Sequence, residues 1–218
     1  MNLNLIRRTW FGFLAATVAL VGTTASAQQY AGIANMSIMT GGGGGPATIS
    51  QYTSLASWSS IGGSTVVGTE NFLSYSGFYS SPLAGSIGPY AWMAGALGGI
   101  YVGTTGPDRV LSTNSPTSLV IEFSSGVTGV GGNIFNTDIN FNFLGSAVTV
   151  VVTLWDLSTA TFTQSSIGSQ FDWWGFHSTG ADIASITISA GGAPAVPLPG
   201  AMGLAACGLL GLNRRRRR

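Results

Sequence analysis

The chain has no lysine, two glutamates, one histidine and one cysteine, and each shortage removes a class of chemistry. A nucleotide-binding Walker loop cannot be built without lysine. The single histidine, His177, excludes a His-Glu-x-x-His zinc helix, and no Gly-x-Ser-x-Gly nucleophile elbow occurs. Cys207 alone supports neither a disulfide framework nor a thiolate metal site. All eight basic residues are arginines, and Arg109 is the only one away from the two ends. Set against Glu70, Asp108, Glu122, Asp138, Asp156, Asp172 and Asp182, it leaves the body with a net charge of −6. The formal +1 of the whole chain therefore belongs to its terminal segments, and the body has no means of neutralising nucleic-acid phosphates.

Both ends carry targeting patterns. Arg7 and Arg8 precede an apolar run over 10–21 and then Ala25-Ser26-Ala27. This is the pattern of a secretory signal peptide, with Ala25 and Ala27 as the small residues that signal peptidase reads and cleavage before Gln28. About a dozen apolar residues at ~1.5 Å each cover only ~18 Å of a hydrocarbon core ~30 Å thick, which disfavours a membrane span. At the other end Val196, Pro197, Leu198, Pro199 and Gly200 lead into a small and apolar stretch over 201–212, then Asn213 and Arg214, Arg215, Arg216, Arg217 and Arg218. Prolines keep the approach extended, while the arginines stay cytoplasmic as the apolar segment enters the bilayer.

This tail resembles the PEP-CTERM sorting signals of Gram-negative bacteria, in the variant that begins Val-Pro-Leu-Pro-Ala, with Gly200 where that variant has alanine. The resemblance implies an exosortase-type membrane enzyme that recognises Val196 to Pro199, cuts nearby and removes the apolar, basic remainder. It also implies a chain held briefly in the inner membrane, then placed in the cell envelope or outside it, in cells that make exopolysaccharide or biofilm. A permanent tail anchor is the alternative.

Between the signals lie roughly 170 residues, a normal size for one domain. The chain's thirty-three glycines, its many serines and threonines, and its abundant Val, Ile, Thr, Phe, Tyr and Trp favour strands and turns over helices. The expected fold is an all-β antiparallel β-sandwich over 65–191, with a short signal helix at the N-terminus and a short apolar helix within 192–218. The run Gly41 to Gly45 followed by Pro46 makes 28–64 read as a flexible lead-in, with an early strand within 49–60. The uncharged stretch 83–103 is apolar enough to raise a membrane span, but Pro89 and its glycines favour a packed interior or a loop.

Strand-like runs fall at 118–123, 133–143, 147–156, 159–164, 170–177 and 182–190, separated by Gly, Ser and Asn turns. Within them Val148, Val150, Val152 and Leu154 point one way and Thr149, Val151 and Thr153 the other, and Ile186 and Ile188 repeat the pattern. A turn over 156–159 makes a hairpin. Gly131 to Asp138, Val148-Thr149-Val150, Thr161-Phe162-Thr163, Trp174-Gly175-Phe176 and Ile186-Thr187-Ile188 look like the sandwich domain common in PEP-CTERM proteins, which is similar to carbohydrate-binding jelly rolls.

Candidate chemistry is sparse. Phe171, Trp173, Trp174 and Phe176 are the densest aromatic group and the candidate glycan platform, because a flat ring stacks on the apolar face of a sugar. Alternation puts Trp173 and Trp174 on opposite faces, so at most one is exposed. Asn136 and Asp138, with Asn140 and Asn142, share one face if their segment is a strand, and are candidate oxygen ligands for a structural calcium. His177 reads as an ordinary strand-end histidine, and the acids as caps of their own turns. The expected function is a non-catalytic surface or matrix protein. A carbohydrate-binding module and a small secreted hydrolase are the alternatives.

Overall fold

Alternating apolar and polar residues, broken by glycine and serine, build a chain of short strands, and the computed structural model describes it over residues 28–42 and 45–191. Ala25 and Ala27, expected at a signal cleavage site, Val196 to Pro199 and Arg214 to Arg218, expected to form a sorting signal, and the two expected terminal helices lie outside the described residues. In chain order the elements are β1 (Tyr30–Gly41), β2 (Thr48–Tyr52), α1 (Leu55–Ser59), β3 (Ser64–Glu70), β4 (Gly77–Tyr79), β5 (Leu83–Ile87), β6 (Tyr90–Gly95) and β7 (Ile100–Thr105). They continue with β8 (Asp108–Thr113), β9 (Leu119–Phe123), β10 (Gly129–Thr137), β11 (Phe143–Leu144), β12 (Val148–Leu154), β13 (Thr159–Gln164), β14 (Trp173–Thr179) and β15 (Ile183–Ala190).

The protein is all-β, with two antiparallel sheets. The larger runs β2-β14-β10-β1-β8-β7-β4, with β3 also on β1 and β11 on β10; the smaller runs β13-β12-β15-β9-β6-β5. Their inner faces share one core, to which Ile33, Ile38, Val130, Trp174 and Phe176 contribute from one side and Ile121, Val150, Ile186 and Ile188 from the other. The expected alternation holds in β12, whose Val148, Val150, Val152 and Leu154 are in that core. The β12–β13 hairpin forms in unbroken register from Val148↔Gln164 to Thr153↔Thr159. Its turn is closed by Asp156, whose Oδ1 accepts from Ser158 N at 2.9 Å and Ser158 Oγ at 2.6 Å.

Three expectations need correction. The segment 28–64 is no loose lead-in: β1 is the centre of the larger sheet and pairs with β10, β8 and β3. Its Ala, Gly and Ser positions blur the alternation, and the glycine run begins where the strand ends, at Gly41. The strand expected over 133–143 stops at Thr137, because Asp138 folds the next residues into a turn. The strand expected from 170 begins at Trp173, for a similar reason given below. The apolar stretch 83–103 becomes β5, β6 and the start of β7, and no described helix is long and apolar enough to cross a membrane.

One irregularity positions the site. β1 exchanges partners along its length, with Gly32 and Ile33 paired to β8 and the residues from Met36 onward paired to β3. At the switch its register against β10 slips by one, from Ala34↔Asn133 to Ser37↔Gly131, which is a β-bulge. Asn35 takes the left-handed conformation there, with φ 50°, one that asparagine tolerates better than most residues.

Candidate functional site

The outer face of the larger sheet carries a glycine floor. Gly129 and Gly131 on β10 and Gly175 on β14 leave room for two indoles to lie against the backbone. A Cβ at Gly131 would stand 2.7 Å from Trp173 Cζ2, and one at Gly175 would stand 2.6 Å from Trp58 Cδ1. Trp58 comes from α1, whose N-cap Ser54 accepts a hydrogen bond from Ser57 N at 3.2 Å. It is fully buried and donates its indole N–H to Phe176 O at 3.1 Å. The rings of Trp58 and Trp173 are 5.6 Å apart and tilted by 54°.

Beside this pair stands a tight turn that presents Phe171. Asp172 Oδ2 accepts from Gly168 N at 2.9 Å and Ser169 N at 3.1 Å, and Asp172 N donates to Ser169 O at 3.1 Å. These bonds explain why β14 starts late. Underneath, nearly buried Asn133 ties the turn to the sheet, its Nδ2 donating to Phe171 O at 2.9 Å. Its Oδ1 accepts from Asn35 Nδ2 at 3.0 Å, and that amide also reaches Asp108 Oδ1 at 3.4 Å. The bulge at Asn35 thus supports the ring of Phe171 through one intervening amide.

The result is a ridge formed by Leu55, Phe171 and Trp173 with a cleft on each side. Leu55 is 48% and Phe171 57% exposed, a level at which a large apolar side chain is available to a ligand. The larger cleft, about 510 Å³, is also lined by Thr53, Ser54, Ile134, Gln164, Ile167, Asp172 and Trp174. The smaller, about 380 Å³, adds Asn35, Ser37, Thr69 and Asn133. Ser37 Oγ and Thr69 Oγ1 are 2.7 Å apart in it. The lining combines apolar rings with amides, hydroxyls and one carboxylate. The indole N–H of Trp174, a residue of the larger cleft, is buried without an acceptor among the described residues.

The aromatic group named from sequence is therefore divided. Phe171 and Trp173 line both clefts, Trp174 belongs to the shared core and borders the larger cleft, and Phe176 belongs to the core alone. Phe176 is fully buried and packs on Phe162 at 5.1 Å, so its place in a glycan platform is corrected. Leu55, Trp58, Asn35 and Ser37 escaped sequence reasoning because they lie in the segment taken for a lead-in; the Ser54 cap was the one signal for α1.

The calcium candidates do not form the face expected of them. Asn136 is buried and donates to Ser146 Oγ and Ala147 O, both at 2.8 Å. The Asp138 carboxylate accepts from the Asn142 side chain at 2.8 Å, Asn142 N at 2.9 Å and Asn140 N at 2.8 Å. Those bonds, the Asn142 side chain foremost, hold its pKa below the ordinary carboxylate value. Asn140 and Asn142 sit in the turn, off the strand, so the alternation on which the shared face rested is absent.

His177 is buried, with Nε2 3.1 Å from Ser64 Oγ. Asp182 accepts from Gly126 N at 2.7 Å, and Asp172 is held in its turn, so both of these nearby acids in the sequence are engaged elsewhere. Burial lowers the His177 pKa, while a hydrogen bond to the Gly41 backbone opposes the shift. A lowered pKa means that the unfolded chain binds the proton more readily. Folding stability is therefore full above the unfolded value of about 6.5 and falls as pH drops from there toward the lower folded value. Urea denaturation between pH 7.5 and 5 should show this fall, and His177→Gln should flatten it. An equal slope in the variant would assign the effect to other groups.

Against known proteins the chain matches no family model, no curated protein and no solved structure. What can be assigned from the fold and the site is a class: an all-β protein of two antiparallel sheets, with an exposed apolar ridge between two clefts of mixed apolar and polar lining.

Proposed function

We propose that this chain is an exported, non-catalytic surface or matrix protein, sorted through its tail, whose sandwich is jelly-roll-like and holds an extracellular glycan along the Phe171 ridge. The observation that carries the binding reading is the exposed Phe171 ring, fixed on a turn bonded to Asn133 and flanked by amide and hydroxyl groups on both sides. A ring face stacks on a sugar, and the neighbouring polar groups bond its hydroxyls. The non-catalytic reading is supported by the lining of the clefts, in which Asp172, in the larger one, is the one carboxylate. Glycoside hydrolysis by the common route uses two, roughly 5 to 9.5 Å apart. Export and sorting rest on the sequence of the ends, with signal peptidase and an exosortase-type enzyme as the processing partners.

Two measurements test this. The mature protein from cells that make it should lack residues 1–27 and the segment after about Pro199, by intact mass and terminal sequencing; a membrane-bound chain that keeps Arg218 would make the tail an anchor. Phe171→Ala should weaken binding to the exopolysaccharide of those cells by about an order of magnitude in affinity electrophoresis. Unchanged mobility would remove the ridge from the reading.

A further inference from the structure

From the charges around the ridge we infer that the site takes a neutral, hydroxyl-rich polysaccharide chain spanning both clefts, and rejects acidic chains; this rests on the glycan-binding reading above. Neither cleft is lined by arginine or histidine, and Arg109 is the one arginine among the described residues, which include no lysine. A uronate or sulfate entering either cleft would give up its hydration and find no cation to replace it. In the larger cleft it would meet Asp172, whose Oδ2 is used by the turn and whose Oδ1 makes no hydrogen bond to a described residue. That oxygen accepts from a sugar hydroxyl and repels a sugar carboxylate. The net charge of −6 over the body extends the repulsion beyond the contact itself.

Length follows from the placement of the ridge. Leu55, Phe171 and Trp173 line both clefts, so a ring seated on the ridge has a neighbour on either side. One neighbour meets Gln164 and Asp172, the other Asn35, Ser37 and Thr69. A disaccharide reaches one cleft; a longer chain reaches both. Affinity should therefore rise with chain length until both clefts are filled.

The test is calorimetric titration of the exported protein at low ionic strength with four hexasaccharides and a disaccharide. The neutral probes are β-1,4-linked hexamers of glucose and mannose, with the glucose dimer for length; the acidic probes are hexamers of guluronate and galacturonate. The inference expects a neutral hexamer to bind at least about tenfold more tightly than either acidic one and than the dimer, with the advantage lost in Phe171→Ala. An acidic hexamer that bound as well as the neutral ones would overturn the inference and leave glycan binding standing. A hexamer no better than the dimer would overturn the two-cleft arrangement. Failure of all four hexamers to bind would overturn the glycan reading itself.

Discussion

Trp58→Ala will lower the unfolding free energy by about 3–5 kcal/mol, the range for truncating a buried aromatic side chain. Trp58 has no exposed surface, and it joins α1 to β14 through its ring and through the bond from Nε1 to Phe176 O. Removing it leaves a cavity beside Trp173 and takes one donor from the Phe176 carbonyl. Trp155, 55% exposed, is the matching control, and Trp155→Ala should change stability by no more than about 0.5 kcal/mol. Urea denaturation of both variants gives the comparison, provided the slope against denaturant is unchanged. A loss below about 1 kcal/mol for Trp58→Ala would mean that α1 does not close that face.

Gly175→Val is expected to be nearly as damaging for the opposite reason. Its Cβ would lie 2.6 Å from Trp58 Cδ1 and 2.8 Å from Cγ, and the buried indole has nowhere to retreat. Overpacking of this kind destabilises by about 1–3 kcal/mol. The same Cβ would stand 3.0 Å from Trp173 Nε1, so any relief that shifts Trp173 also moves the ridge and should weaken the glycan binding proposed for it. Gly62, with nothing within 4 Å of its Cβ direction, is the control, and Gly62→Ala should leave both quantities unchanged. Equal stability of the Gly175 and Gly62 variants in urea would show that the floor has slack.

The difference between what was legible in the sequence and what was not follows residue type. β12, β13 and β15 were readable because bulky apolar residues alternate with threonine and serine, and their inner face is core. β1 was not, because its central position is held by Ala31, Gly32, Ala34 and Ser37 as much as by Ile33 and Ile38, and small residues carry little periodicity. Of the site, Phe171 and Trp173 could be named from local aromatic density. Their partners could not: Asn35 and Leu55 lie more than a hundred residues earlier, and only the sheet order brings them alongside. Nothing in the local pattern marked the role of the glycines at 129, 131 and 175, which is to let two indoles approach the backbone closely.

The place of β1 also bears on when the protein can fold. Tyr30, near the start of the body, pairs with Thr137, and Tyr52 on the edge strand pairs with Gly175. Strands made first wait for strands made last, and closing such distant pairings is slow because the loop entropy is lost before the contacts form. The larger sheet therefore stays open during most of the chain's synthesis. If the chain is exported as proposed above, this delay would be useful, since it would remain a thread that a translocation channel can accept and would complete its sheet on the far side.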